Sequence, residues 1–385
     1  MKHASMTVAL IAAALFLAAV HFSWLYCRDT GHADATRIEV KVAPGMTFAQ
    51  VSDLLVEQGI LSNPGLFRWA AWLTRREDDI RTGRYLFRHG ESVRRILGKL
   101  VRGEVEFWRV VVPEGLHIAE IASVMERQAE IDSAAFDSIA RDQRFAAALG
   151  IRAPSLEGYL FPDTYLFSWP VTAEQAARRM VRRFRDVYSL MVAPAADSTG
   201  MELGDIVTLA SIVQAEAVFD SEMPRIAAVY HNRLEAGMRL EADPTVAYSL
   251  GGVRRALRLR DLRVDSPYNT YRVRGLPPGP ICSPGKSALL AAVSPSRNTG
   301  EFYFVADGTG RHLFSRNYED HLRAKHRIRY GAVPASLRED PPSEPSAAEI
   351  PGPDAAGTGS PAPPRQEAAQ PDSAPPPAWE KPPRP

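Results

Sequence analysis

A chain of 385 residues with 45% hydrophobic content is long enough for two domains with separate cores. Its 46 basic and 45 acidic residues leave a net charge of +1, which excludes recognition of nucleic acid by bulk charge. The two cysteines, Cys27 and Cys282, provide neither a disulfide framework nor a thiolate metal site.

Residues Met6 to Tyr26 are almost uninterruptedly apolar, broken only by Thr7, His21 and Ser23. At ~1.5 Å per residue this run spans about 32 Å, enough to cross a bilayer core of about 30 Å. Trp24 and Tyr26 suit a membrane interface. A cleaved signal peptide is the competing reading. The run exceeds a usual signal core, however, and no small-x-small site precedes Arg28 and Asp29, so a retained anchor with a short cytoplasmic tail is expected over residues 1–36.

Two stretches 70 residues apart then share one design. Val42–Val51 (VAPGMTFAQV) and Val112–Ile121 (VPEGLHIAEI) each read as the end of an alternating strand, a glycine turn and the start of an amphipathic helix. Thr47 and Gln50 have capping-box spacing. A later strand is expected in each copy, at Gly83–Phe87 (GRYLF) and at Gly158–Phe161 (GYLF), which matches Tyr85 with Tyr159 and Phe87 with Phe161. Glu157 and Pro162-Asp163 flank the second strand. Basic helices follow, at Ser92 to Val101 and Thr172 to Val187, and the arginines of the second read as a solvated face.

The segment Ile206–Glu216 (IVTLASIVQAE) reads as helix. With Leu209 at zero and about 100° per residue, Ile212 falls near 300°, Val213 near 40° and Glu216 near 340°. Glu216 is thus expected within an apolar stripe. A carboxyl there loses hydration and keeps its proton near neutral pH, as a general acid must. A buried glutamate paired with arginine is the other reading. Asp220-Ser221 is a cap candidate for a helix from about Glu222 to Ala236, closed by Gly237. On that helix Arg233 shares a stripe with Ile226, Val229 and Tyr230, so it is drawn inward and needs an anion; Asp243 and Glu216 are the candidates.

Further on, Ser266–Tyr271 (SPYNTY) and Gly275–Ile281 (GLPPGPI) form rigid turns. Tyr268, Asn269 and Tyr271 offer flat faces with polar tips, which suit sugar rings. Phe302–Val305 reads as a core strand entering a hairpin at Asp307-Gly308. No glycine-rich phosphate loop, histidine pair at ligand spacing or nucleophile elbow occurs. Residues 334–385 hold 16 of the 31 prolines and read as a disordered tail.

Taken in order, Glu157–Tyr165 (EGYLFPDTY), Leu209–Glu216 (LASIVQAE), Tyr230–Leu234 (YHNRL), Gly237–Thr245 (GMRLEADPT), Ser266–Tyr271, Gly275–Ile281 and Tyr303–Gly308 (YFVADG) resemble the YceG-like family of endolytic murein transglycosylases over roughly residues 37 to 330. The resemblance implies an α+β chain. Its parts would be an anchor and linker (1–36), a LysM-like subdomain (37–107), a YceG-like catalytic domain (108–333) and the tail (334–385). It places the family's catalytic glutamate on Glu216. Asn232, Arg233, Asp243, Tyr268, Asn269 and Glu157 then stand as substrate-binding candidates. Many family members carry a second acid where this chain has Gln214, and Asn-Pro where it has Ser294-Pro295. Position 214 points near 140° on the scale above, away from the stripe, so its change should leave the chemistry intact.

The implied reaction cleaves the bond between N-acetylmuramic acid and N-acetylglucosamine, with closure of a 1,6-anhydro ring and without metal or organic cofactor. Implied partners are nascent glycan strands, the cytoplasmic membrane and peptidoglycan synthases, with the catalytic domain outside the cytoplasm. Two alternatives stand beside it. One is a lysozyme-like hydrolase using Asp243 or Asp163 as second carboxylate. The other is a silent glycan-binding anchor.

Overall fold

The computed structural model describes residues 2–29, 36–197, 199–253 and 255–330; the expected proline-rich tail lies outside them. The chain is mixed α and β and divides into two compact units. The first comprises Met1–Phe145 with Ser155–Phe184, and the second comprises Ala146–Pro154 with the chain from Arg185 onward. The division falls near residues 145 and 184.

The first unit opens with helix α1 (Lys2–Cys27), whose segment Met6–Cys27 has a mean hydropathy of 2.2 and is apolar and long enough to cross a membrane. Two copies of one motif follow. In the first, β1 (Arg37–Val42), α2 (Phe48–Glu57), α3 (Pro64–Thr74), β2 (Gly83–Arg88) and α4 (Val93–Arg102) enclose a core that includes Val51, Leu55, Phe67, Tyr85, Phe87 and Leu100. In the second, β3 (Phe107–Val111), α5 (Ile118–Ala129), α6 (Ser133–Arg141), α7 (Gln143–Ala148), β4 (Thr164–Ser168) and α8 (Ala173–Val187) repeat the plan with one more helix. Each strand pair is antiparallel.

The register corrects the sequence reading of the repeat. Val40 faces Tyr85, and Val110 faces Tyr165, not Tyr159. Early positions of the two copies are offset by 70 residues and late positions by 80, because α7 lengthens the second. The same anchoring contacts recur at these offsets. Thr47 with Gln50, and His117 with Glu120, form capping boxes. The hydroxyl of Tyr85 donates to the Arg81 carbonyl at 2.6 Å, and that of Tyr165 to the Phe161 carbonyl at 2.6 Å. Lys99 donates to the Leu86 carbonyl and Arg179 to the Leu166 carbonyl. The apparent match at Gly158–Phe161 arises because the tripeptide Tyr-Leu-Phe occurs twice in the second copy. Removing the Tyr165 hydroxyl strands a buried carbonyl. Tyr165→Phe is expected to cost about 1–3 kcal/mol, read as a lower urea midpoint at unchanged slope.

The second unit is mostly helical. After a π-helical turn at Tyr188–Val192 and a short α9 (Ala193–Ala196) come α10 (Leu203–Glu216), α11 (Met223–Glu235), α12 (Asp243–Ser249) and α13 (Lys286–Val293). The hairpin of β5 (Tyr303–Ala306) and β6 (His312–Ser315), then α14 (Tyr318–Tyr330), complete the described chain. Every residue of α10 from Ile206 to Val213 is buried, so this helix is enclosed rather than striped. It packs against α11, α12 and α13. The expected cap at Asp220-Ser221 is replaced by a 3-10 turn, Asp220–Glu222, and Asp220 accepts a hydrogen bond from Ser287 instead.

Candidate active site

Glu216 is the last residue of α10. The preceding turns are wrapped in aliphatic side chains, and the carboxyl emerges where that wrapping ends. The residue is half-buried, so protein replaces most of its water while part of its surface stays accessible. Burial pushes its pKa up to about 7. The Tyr230 hydrogen bond pulls it down, the charge of Asp243 pushes it up, and that of Arg233 pulls it down. Its place at a helix C-terminus works in the same direction as burial, because unsatisfied carbonyls there repel an anion. One oxygen, Oε1, accepts from the Tyr230 hydroxyl at 3.0 Å.

Tyr230 comes from α11 and is 1% exposed. Four consecutive side chains of that helix hold four different neighbours. Tyr230 reaches Glu216, and His231 Nε2 meets the Ala292 carbonyl of α13 at 2.7 Å. Asn232 donates to the Glu301 carbonyl at 2.7 Å, and Arg233 Nε to the Phe302 carbonyl at 2.6 Å. Tyr230 is thus held on a helix braced from two sides, which fixes the donor on the acid before any ligand arrives.

A second acid–phenol pair lies in the same electrostatic neighbourhood. Asp243, the first residue of α12, accepts from the Tyr271 hydroxyl at 2.6 Å. Burial raises the Tyr271 pKa well above its ordinary value, and the hydrogen bond and charge of Asp243, then the charge of Glu216, add to the rise. The backbone on either side is tied by a buried hydroxyl pair. Thr270 and Thr245 share a hydrogen bond of 2.9 Å, the Ala242 amide donates to Thr270, and Thr245 donates to the Ala242 carbonyl. Asp243 and Tyr271 are therefore anchored to one hydroxyl pair.

The remaining expected site residues fall in three groups. Arg233 is buried as anticipated, but neither Asp243 nor Glu216 is its hydrogen-bonded partner. It is held by the carbonyls of Phe302, Arg239 and Leu240 and by Glu241 at 3.4 Å, with its guanidinium 5.1 Å from the Tyr303 ring centre. Asn269 is fully buried, donating to the carbonyls of Leu262 and Val264 and accepting from the Tyr271 amide, so it shapes the loop. Asn232 is likewise engaged with backbone. Glu157 belongs to the first unit, is 4% exposed and accepts from the Ile118 amide at the start of α5, which makes it a helix anchor there. Asp163, the other second-carboxylate candidate, is taken by Arg183 at 2.6 Å and by the Thr164 amide. Tyr268 remains half-buried, with its ring 5.0 Å from that of Tyr248.

Gln214 has a task that the helical wheel does not reveal. Its side-chain carbonyl accepts from the Gly285 amide at 2.9 Å, tying α10 to the start of α13. Just beyond Glu216, Val218 and Phe219 are exposed, and Arg311 from the hairpin stands 5.2 Å above the Phe219 ring. Val218 and Phe219 form an apolar flank two and three residues from the acid.

The chain is 27% identical over 306 residues to a Bacillus subtilis protein named endolytic murein transglycosylase, covering 75% of this chain and 84% of that protein. A Streptococcus pneumoniae protein of the same name is 26% identical over 350 residues, and the matched region spans 82% of this chain and 63% of that longer protein. A crystal structure of a YceG-like protein from Listeria monocytogenes superposes with a TM-score of 0.53 at 30% identity, over 75% of this chain and 99% of that one. Residues 40–327 match the model of the YceG-like family, the match takes in every element from α2 to β6, and the chain belongs to that family.

Proposed function

We propose that this protein is an endolytic lytic transglycosylase of peptidoglycan, with Glu216 as its acid and base. The observation that carries the reading is the half-buried Glu216 carboxyl, raised to about 7 and hydrogen-bonded by Tyr230, in a member of this family. Protonated Glu216 donates to the oxygen of the bond between N-acetylmuramic acid and N-acetylglucosamine. Positive charge develops at the muramyl C1 as that bond breaks. The carboxylate left behind, steadied by the Tyr230 hydroxyl, then takes the proton of the muramyl C6 hydroxyl, whose oxygen closes on C1. One residue serves twice because the nucleophile belongs to the substrate and is already in place.

Asp243 contributes by charge. It discourages ionisation of Glu216 and favours the oxocarbenium-like centre, while Tyr271 keeps it oriented. Tyr268 and Tyr248 on one side, with Val218 and Phe219 near the acid, supply faces on which sugar rings can stack. The β1–α2–α3–β2 unit has the strand–helix–helix–strand order of LysM-like glycan-binding modules, and we assign it that role. Helix α1 serves as a single-pass anchor in the cytoplasmic membrane, with both units on its outer side, where nascent strands and their synthases would meet the enzyme.

A hydrolase reading has one observation in its favour: Asp243 lies close enough to influence Glu216 and could activate a water. Product mass separates the two. Incubation of the full chain with un-crosslinked glycan strands is expected to yield ends one water lighter than hydrolysed ends. Hydrated ends alone would assign the protein to the hydrolases.

A further inference from the structure

Helix α3 turns Phe67, Ala70 and Ala71 inward and presents Trp69, Trp72 and Leu73 outward, exposed by 44%, 62% and 53%. The spacing i, i+3, i+4 puts all three on one face. Two outward tryptophans on one short helix form a surface that water does not favour and that the core does not use.

What lies beside this face indicates its occupant. The last turns of α1 carry a stripe of Phe22, Leu25 and Tyr26 that is half-buried, and Phe22 and Tyr26 pack against the core of the first motif. Phe22 meets Trp69 edge to face with ring centres 4.0 Å apart. Asp29, just past the helix, accepts from the Ser92 amide and pairs with Arg95 at 2.7 Å. The anchor is thus docked on the motif. Phe22 lies inside the apolar span Met6–Cys27, five residues before its end, or about 7.5 Å along the axis. A side chain in contact with Phe22 must sit at that depth.

We infer that the outward face of α3 is embedded in the membrane interface, with Trp69, Trp72 and Leu73 entering the outer leaflet beside α1. The inference rests on the reading of α1 as a membrane anchor. Tryptophan is the side chain best suited to that layer, having an apolar body with one donor. The charges fit a phospholipid surface. Arg28, stacked 4.5 Å from the Trp24 ring centre, and Arg94 and Arg95 at the start of α4 stand at the level of the phosphates. Glu77, Asp78 and Asp79, which follow α3, limit its depth by holding that end in water. The first motif would then lie on the bilayer rather than hang from a free tether.

The test uses the full chain in nanodiscs of phosphatidylethanolamine and phosphatidylglycerol with brominated acyl chains, which quench tryptophan emission at short range. W69F/W72F is expected to lose roughly two thirds of the quenchable emission, the share of two interfacial tryptophans in three. W24F is expected to keep most of it, and W24F/W69F/W72F almost none. Retention of the parent's full quenching by W69F/W72F would overturn the inference while leaving the anchor intact, since Trp24 alone would then be in lipid. Absence of quenching in every form, parent included, would remove the anchor and the inference together. A response of Trp69 and Trp72 only to added glycan strands would assign the face to carbohydrate and also overturn it.

Discussion

Glu216→Gln is expected to lower glycan cleavage by about 10³-fold or more while strands still bind. Glutamine keeps the shape and still accepts from Tyr230, but it has no proton to give and cannot take one from the C6 hydroxyl. Both halves of the reaction are lost together. Because the substitution removes an ionisable group from a site where its charged form is disfavoured, the variant should fold at least as well as its parent at pH 8. That separates lost chemistry from lost structure. The measurement is single-turnover release of anhydro ends, with binding of glycan strands as control. Cleavage by the variant at even a tenth of the parent rate would take Glu216 out of the mechanism.

Tyr230→Phe and Asp243→Asn are expected to move the alkaline limb of the pH–rate profile in opposite directions. The limb exists because Glu216 must be protonated to act as an acid, so the rate falls as pH rises through about 7. The Tyr230 hydrogen bond stabilises the carboxylate and lowers that pKa. Without it the proton is held more tightly, and the limb shifts to higher pH. The charge of Asp243 destabilises the carboxylate, so its neutralisation releases the proton earlier and shifts the limb to lower pH. Tyr230→Phe should also reduce kcat about 10- to 100-fold, since the base step loses the donor that steadies the carboxylate. Equal shifts in one direction would show that neither side chain tunes Glu216 as described.

How much of this was legible in the chain depended on whether a feature is local. The Thr47–Gln50 capping box, the glycine turns, the repeated strand–helix plan and the apolar N-terminal helix are written in adjacent residues. All of them are present in the structure. The helical character of Ile206–Glu216 was equally readable. Its burial was not, because an enclosed helix and a striped one differ only in what surrounds them, here α11 and α13. The second repeat strand was misplaced by six residues because Tyr-Leu-Phe recurs at 159–161 and 165–167, and only the pairing of Val110 with Tyr165 distinguishes the two.

At the site, the acid was legible and its partner was not. Tyr230 stood out only as an apolar stripe residue, since a phenol 14 residues from a carboxyl signals nothing until two helices cross. Arg233 was rightly drawn inward, yet three backbone carbonyls and Glu241 satisfy it, and a carbonyl leaves no trace in side-chain identity. The same holds for Asn269 and Glu157, whose sequence positions do not reveal that Asn269 donates to the Leu262 and Val264 carbonyls or that Glu157 accepts from the Ile118 amide. Polar residues in a motif can serve the loop that carries the site instead of the ligand.

The mechanism depends on a single carboxyl that still holds its proton when ordinary glutamates have lost theirs. Its most direct test is a carboxyl-carbon NMR titration of the full chain labelled at glutamate, compared with Glu216→Gln. One resonance is expected to titrate with a midpoint of about 7 in the parent and to be missing from the variant. A missing resonance that titrates instead in the ordinary carboxylate range would contradict the mechanism.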